Sequence, residues 1–181
     1  MLRLVLVASL LAGCHTSPPP AADASPPPAI DASPPPAVDA SLPPDAAVVR
    51  ACTVIPVAAC MAATTHSDLA WIETNIFGVS CTFSGCHDSA TDLGKLDLRV
   101  GMSYADLVGV SSIADPTRKL VVPNDIHASY LMLSLHDFPP EMATPPGVAP
   151  AVGYMPQGFP TLCCQKLEAI ERWIMAGAPA N

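Results

Sequence analysis

Apolar and polar residues divide this chain into three stretches of different character. Residues 4–12 read LVLVASLLA and are almost wholly apolar, whereas residues 17–48 repeat serine, proline, alanine and aspartate with few large apolar side chains. Only from about residue 49 onwards do apolar residues recur at intervals of three and four, the spacing of an amphipathic helix. The pattern predicts one folded domain at residues 49–181, of ordinary size for a single hydrophobic core.

A helix is predicted near the start of this domain, at residues 67–79. Leu69, Ile72 and Ile76 fall on one face of it, and Ser67 is the predicted N-cap because its hydroxyl can accept a bond from an early helical N–H.

A second helix is predicted at residues 161–176 and ends before Gly177. Its apolar face carries Leu167, Ile170, Trp173 and Ile174. Shorter helices are predicted at residues 103–108 and 126–136, between loops rich in proline and glycine, and no strand-like alternation persists. The fold class is therefore all-α, with few helices and long loops, and the first and last helices are expected to pack together.

The N-terminus has the features of an export signal. Arg3 is followed by the apolar residues 4–12, which are far shorter than the roughly 20 residues of a transmembrane helix. The stretch ends in LAGC and resembles the lipobox of bacterial lipoproteins. That resemblance implies removal of residues 1–13, lipidation of Cys14, and anchoring to the bacterial cell envelope on its periplasmic or cell-surface side. The alternative is an ordinary signal peptide followed by an incidental cysteine.

Residues 14–48 form a predicted tether. SPPPAADA, SPPPAIDA and SPPPAVDA begin at residues 17, 25 and 33, and a degenerate copy begins at residue 41. Consecutive prolines fix φ and remove amide donors, so a disordered, extended chain is expected rather than a core. At about 3.1 Å per residue it could reach on the order of 90 Å. Recognition of the prolines by an SH3-like partner is the alternative to a simple spacer.

The charge limits the range of partners. The chain has a formal charge of −8, and residues 49–181 contain twelve acidic and seven basic residues. Nucleic acid is not an expected partner, because phosphate binding needs a basic face. An acidic surface steers encounters towards basic proteins, although solubility explains the charge equally well.

The sequence CTFSGCH at residues 81–87 is the main chemical motif. Cys81 and Cys86 with His87 match a haem attachment signature in the longer C-x-x-x-x-C-H spacing. Two thiols can bond the two vinyl groups of a porphyrin, and the adjacent imidazole can then bind the iron. The alternatives are a Cys81–Cys86 disulfide beside an incidental histidine, or a zinc site, for which no fourth ligand is evident.

With the two terminal helices, this motif resembles the cytochrome c family over about residues 71–178. The likeness is closest to cytochrome c-like domains of secreted bacterial lipoproteins. The features that carry it are GCH, LDL at 96–98, VVPNDIHASYL at 121–131, GYMPQG at 153–158, and a closing Trp173, Ile174, Gly177 and Ala178. The resemblance implies covalent haem c on Cys81 and Cys86, with His87 as the proximal iron ligand and Met155 as the distal one.

Other residues compete for the distal position. Met142 lacks the proline and glycine that follow Met155, and Met132 is expected to pack within a helix. His127 and His136 would give bis-histidine ligation, but both are expected to be solvent-facing helix residues. His66 is expected to be exposed.

The remaining cysteines are candidates for disulfides, since export places them in an oxidising space. They are Cys52, Cys60, Cys163 and Cys164. Four cysteines allow three pairings, and a bond between the adjacent Cys163 and Cys164 is strained, so two links from the N-terminal segment to the last helix are expected. A catalytic or copper-binding role for the adjacent pair is the alternative.

These residues favour a tethered monohaem electron carrier that exchanges electrons with redox proteins. A bound methionine would leave no open iron position for a substrate, so an enzyme is less expected. A haem enzyme or sensor, and a haem-free, disulfide-stapled binding or structural lipoprotein, stay open. The aromatic residues that could line a haem pocket are Tyr104, Tyr130, Tyr154 and Phe159.

Overall fold

The computed structural model describes residues 52–83, 85–88 and 93–181. The predictions for the signal peptide, for Cys14 and for the tether of residues 14–48 lie outside the described residues. Within the described part, short helices are joined by long loops. The mostly helical class predicted from the sequence is therefore observed.

The described residues form five helices, three of them short. They are α1 (Ala58–Ala62, continued by a 3-10 turn Ala63–Thr65), α2 (α-helical Leu69–Ile72, π-helical Glu73–Phe77 and α-helical Gly78–Ser80), α3 (Ser103–Leu107), α4 (Tyr130–Ser134) and α5 (Cys164–Met175). Single 3-10 turns occur at Leu93–Lys95 and Pro140–Met142.

Helix α2 differs from its prediction in two respects. Its N-cap is Asp68 rather than Ser67, because the Asp68 carboxylate accepts a bond from the N–H of Trp71 at 2.9 Å. Its middle is a π-helical turn, which adds one residue and turns Glu73 to the inside together with Ile76. Hydrophobic spacing alone could not reveal this turn, since a carboxylate gives no apolar signal.

Helix α5 begins at Cys164 instead of Thr161, because Cys163 is extended and the N–H of Cys164 donates to the carbonyl of Thr53 at 3.1 Å. Its predicted apolar face is fully buried. It ends in a Schellman motif: Gly177, with φ of 93°, donates to Ile174, and Ala178 donates to Trp173. The stop at Gly177 is therefore confirmed.

The last helix packs against the N-terminal part of the domain, at the 3-10 turn after α1 and at the start of α2. The guanidinium of Arg172 donates to the carbonyl oxygens of Ala63 at 2.6 Å and His66 at 2.8 Å. The carbonyl of Ala63 also accepts from the N–H of His66, so the guanidinium binds the end of this turn at two successive acceptors. The core thus lies between the two ends of the chain.

The predicted helix at 126–136 is much shorter in the structure, where only Tyr130–Ser134 is helical. The preceding residues form a turn instead. Asp125 accepts a bond from the N–H of Ala128, and the hydroxyl of Ser129 donates to the carbonyl of Asp125 at 2.6 Å. Such local side-chain bonds compete with helix formation. The predicted helix at 103–108 is found as α3.

The described residues contain no β-strand, although isolated bridges pair Val108 with Val121 and Ser111 with Lys119. In the same described residues, no helix has the length and apolar composition needed to cross a membrane.

Candidate functional site

Two disulfides separate the cysteines of the domain into two groups. Cys52 bonds Cys164 and Cys60 bonds Cys163, with Cα atoms 5.1 and 6.3 Å apart. Both bonds join the segment before or within α1 to the start of α5, which resolves the pairing that the sequence left open. Cys81 and Cys86 remain thiols.

Cys81 lies directly after α2, and its N–H donates to the carbonyl of Phe77 at 2.7 Å. It packs against the hydrophobic core. Burial, which is the largest cause, and the nearby Cys86 together raise the pKa of its thiol to about 12, against the opposing effect of the Lys166 ammonium. At neutral pH Cys81 is therefore protonated, and a buried thiol of this kind is a poor spontaneous nucleophile.

His87 is fixed by backbone bonds and by one bond to its ring. Its N–H donates to the carbonyl of Cys81 at 3.1 Å, and its carbonyl accepts from the N–H of Leu98 at 3.0 Å. Its Nδ1 lies 3.1 Å from the carbonyl oxygen of Leu93. Because a carbonyl can only accept, Nδ1 must carry the proton, which leaves the lone pair on Nε2. A hydrogen bond from the ring nitrogen that does not bind the metal is the usual way in which a protein orients a metal-binding imidazole.

Burial lowers the pKa of His87 below its ordinary value, and the bond to Leu93 opposes that effect. The neutral imidazole, which is the form that binds metals, is therefore favoured. The carbonyl of Leu93 is presented by the turn Leu93–Lys95, in which Gly94 has a φ of 69°.

Lys166 is a buried residue of the site that the sequence analysis missed. It is 9% exposed, and its ammonium donates to the carbonyl of Asn75 in the π-helical turn of α2 at 3.0 Å. Burial lowers its pKa, while the electrostatic effect of Cys81 raises it. Its position four residues before Ile170 and seven before Trp173 was the available signal, since that spacing places it on the buried face of α5.

Met155 lies in the loop between α4 and α5. Its N–H donates to the carbonyl of Ser134, the last residue of α4, at 2.8 Å. Its side chain is partly buried and packs against the same hydrophobic core as Cys81. The backbone of Met155 therefore bonds the loop between α4 and α5 directly to the end of α4.

An aromatic stack brings the loop of Met155 to the loop of the two thiols. Phe83, within the CTFSGCH motif, and Phe159, four residues after Met155, have ring centroids 5.0 Å apart and an angle of 15° between ring planes. From the sequence, Phe159 is only a possible pocket or core residue, and no local signal distinguishes Phe83. The two segments are 76 positions apart in the chain, so only the tertiary structure could pair them.

The two histidines offered as alternative distal ligands do not lie in a helix, so their prediction as solvent-facing helix residues is wrong. His127 precedes α4, and the centroid of its partly buried ring lies 4.8 Å from that of Phe138. His136 follows α4, and its ring stacks on Tyr154 at a centroid distance of 3.8 Å. Both rings are occupied by aromatic contacts.

The other candidates are placed as follows. Met132 is fully buried in α4, and Met142 ends the turn Pro140–Met142 with its side chain against the core. His66 is half-buried rather than simply exposed, because its ring stacks on Trp71 at 4.3 Å. Of the predicted pocket aromatics, Tyr130 is buried, Tyr154 is half-buried, and Tyr104 and Phe159 are exposed.

Glu73 is a second buried polar residue that the sequence analysis did not identify. One oxygen of its carboxyl accepts from the hydroxyl of Ser103 at 2.7 Å, and the other accepts from the N–H of Gly101 at 2.8 Å. These bonds hold the segment before α3 against α2. An open pocket lies where these segments meet, lined by Gly78, Thr82, Arg99, Val100 and Met102.

No protein-family model, curated protein or solved structure matches this chain. Among the described residues, no three His, Cys, Asp or Glu side chains are grouped so as to hold a metal ion.

Proposed function

We propose that this protein is an exported electron carrier that holds one haem covalently and is anchored to a membrane by a lipid on Cys14. The observation that carries this proposal is the bond between Nδ1 of His87 and the carbonyl of Leu93, at 3.1 Å. It keeps the proton on Nδ1 and leaves the lone pair on Nε2, and it does so next to the thiol-bearing motif. An incidental histidine beside a disulfide would need no such orientation.

The chemistry of the donor set fits a c-type haem. Cys52, Cys60, Cys163 and Cys164 are joined in disulfides, while Cys81 and Cys86 keep their thiols. Each thioether would form when an S–H adds across a vinyl C=C, with sulfur bonding one carbon and hydrogen the other. No oxidant or reductant is consumed. The high pKa of Cys81 means that this addition would depend on the cell's attachment machinery.

Met155 is the proposed distal ligand. The Phe83–Phe159 stack holds its loop beside the motif, and the bond to Ser134 fixes its backbone. When bound, haem supplies one-electron chemistry at its iron, and a thioether ligand favours the reduced form. His87 and Met155 would together hold the iron and leave no site on it for a substrate, which favours a carrier over an enzyme.

The proposed location follows from the N-terminal sequence. Lipidation at Cys14 would fix the chain to the cell envelope, and the proline-rich residues 14–48 would let the domain reach redox partners at a distance from the surface. Incorporation of labelled fatty acid tests the anchor. We expect label in the full chain and none in C14S; label retained in C14S would contradict the anchor without affecting the haem proposal.

The haem proposal is tested by expressing the full chain in a bacterial host that attaches c-type haem. We expect a Soret band that stays with the protein through acid-acetone extraction. The double variant C81S/C86S should lose it. The matched control is C60S/C163S, which also removes two cysteines but lies in a disulfide, and it should retain covalent haem.

Axial ligation is tested separately. In Met155→Ala, the weak methionine-to-iron absorption band should disappear, the reduction potential should fall, and carbon monoxide should bind readily; Met142→Ala is the control and should change none of these. Failure of the unsubstituted chain to retain haem would overturn the proposal and favour the disulfide-stapled lipoprotein. Retained haem with carbon monoxide binding in the unsubstituted chain would favour a sensor or enzyme.

A further inference from the structure

We propose that His136 is a positioning residue for Met155, acting through the ring of Tyr154. The inference rests on the proposed function and deepens it, since it names the side chain that holds the distal ligand in place. From the sequence, His136 is expected to be a solvent-facing helix residue, with iron ligation as its alternative role. The structure instead places its ring against the residue that precedes Met155.

The position of His136 is set by the end of α4. The helix ends at Ser134, and His136 takes a φ of 60°, a left-handed conformation that residues with a side chain seldom adopt. Its N–H donates to the carbonyl of Leu133 at 3.1 Å, and the next N–H, that of Asp137, donates to Met132 at 3.1 Å. The backbone around the imidazole is thus determined by a buried helix.

The ring of Tyr154 covers the imidazole at a centroid distance of 3.8 Å and an angle of 13° between planes. The following N–H, that of Met155, donates to the carbonyl of Ser134 at 2.8 Å. The loop therefore makes two contacts within two residues: a ring contact with His136, just after α4, and a backbone bond to Ser134, the last residue of α4. Phe159 holds the other end of the loop on Phe83. Met155 lies between the two aromatic contacts.

Removal of the His136 ring should loosen one end of this loop while the Phe83–Phe159 contact stays. We expect His136→Ala to increase exchange of the Met155 amide about three- to tenfold in the cofactor-free full chain, as loss of one stacked pair predicts. His136→Phe keeps a ring that can stack and should exchange as slowly as the unsubstituted chain. Tyr154→Leu removes the other ring of the pair and should behave like His136→Ala.

The matched control is His66→Ala. His66 also stacks on an aromatic ring, that of Trp71, at 4.3 Å and 6°, but it lies before α2 and should leave the Met155 amide unchanged. In haem-loaded protein, His136→Ala should weaken the methionine-to-iron band and speed carbon monoxide binding, and His136→Phe should restore both. A residue that only supports overall stability would not produce this pattern.

The outcomes separate this inference from the proposed function. Unchanged Met155 exchange in His136→Ala overturns the positioning role, whether or not haem is retained. Equal loosening in His136→Phe and His136→Ala also overturns it, because the stack would then not be the cause. If the unsubstituted chain retains no haem, the proposed function fails, while the exchange result still decides whether the ring of His136 holds the loop.

Discussion

The rings of Phe83 and Phe159 are stacked with centroids 5.0 Å apart, although the two residues belong to loops far apart in the sequence. This contact should be measurable as a coupling free energy. We expect a double-mutant cycle with Phe83→Ala and Phe159→Ala to give about 0.5–1 kcal/mol in urea unfolding. The control cycle combines Phe83→Ala with Phe138→Leu. The ring of Phe138 contacts that of His127 instead of Phe83, so the two effects should add. Additivity in the first cycle would show that the rings do not interact in solution.

The free energy of unfolding lost with either disulfide should depend on whether the other disulfide is still present. They span 112 and 103 positions, but their ends are close neighbours in the sequence, so either bond alone closes the long loop. Loss of one bond should therefore cost about 2–3 kcal/mol, and loss of the second about 4–5 kcal/mol more. The variants are C52S/C164S, C60S/C163S and the quadruple serine chain, compared by denaturant unfolding. Equal costs for the first and second losses would contradict this coupling.

Loss of the Glu73 carboxyl group should lower the free energy of unfolding substantially. Glu73→Ala leaves the hydroxyl of Ser103 and the N–H of Gly101 without their acceptor inside the protein, and it should lower the free energy of unfolding by about 2–5 kcal/mol. Glu73→Gln should cost less, because its amide oxygen can still accept one bond. Ser103→Ala is the control, removes a single bond, and should cost about 1–2 kcal/mol. A Glu73→Ala chain as stable as the unsubstituted one would show that water replaces these bonds freely.

The carboxyl group of Asp115 should make the free energy of unfolding depend on pH. The hydroxyl of Thr117 is the main cause that lowers its pKa below the ordinary 3.8, burial opposes the shift, and Arg118 adds to it. A lowered folded-state pKa stabilises the fold above the ordinary value, and the contribution is lost as pH falls towards the lowered value. Asp115→Asn should therefore show a flatter loss of stability below about pH 5. Thr117→Val should be intermediate. Parallel pH profiles for all three chains would contradict the assignment.

Gly94 should affect the ring of His87 as well as stability. Among the described residues, a Cβ at Gly94 would meet no atom within 4 Å, so we expect Gly94→Ala to act through its φ of 69° and to cost about 1 kcal/mol. Gly109, with a φ of 73° and equally open space, is the matched control and should cost the same. Only Gly94→Ala should shift the NMR signal of the His87 Nδ1 proton, because it moves the carbonyl of Leu93. An equal shift in Gly109→Ala would show that this turn does not orient the imidazole.

The sequence predicted those helices whose signals are local. Leu167, Ile170 and Trp173 repeat at helical spacing, and Gly177 ends α5 because it adopts a left-handed conformation without steric cost. The helix predicted at 126–136 was too long, since the Asp125 and Ser129 side chains bond the backbone and hold a turn there. The N-cap was displaced by one residue because Ser67 and Asp68 are both good caps, and only the backbone geometry selects between them.

The candidate site divides in the same way. By itself the sequence determined which residue types are present and their local order: two cysteines beside an imidazole, a later methionine followed by proline, and four further cysteines in the domain. The tertiary structure decided which cysteines pair, that Leu93 orients the ring of His87, and that Phe83 meets Phe159. It also buried Glu73 and Lys166 on helix faces, where their bonds come from segments distant in the chain. Local order follows from covalent connectivity, whereas these contacts form only when the core brings the two ends of the domain together.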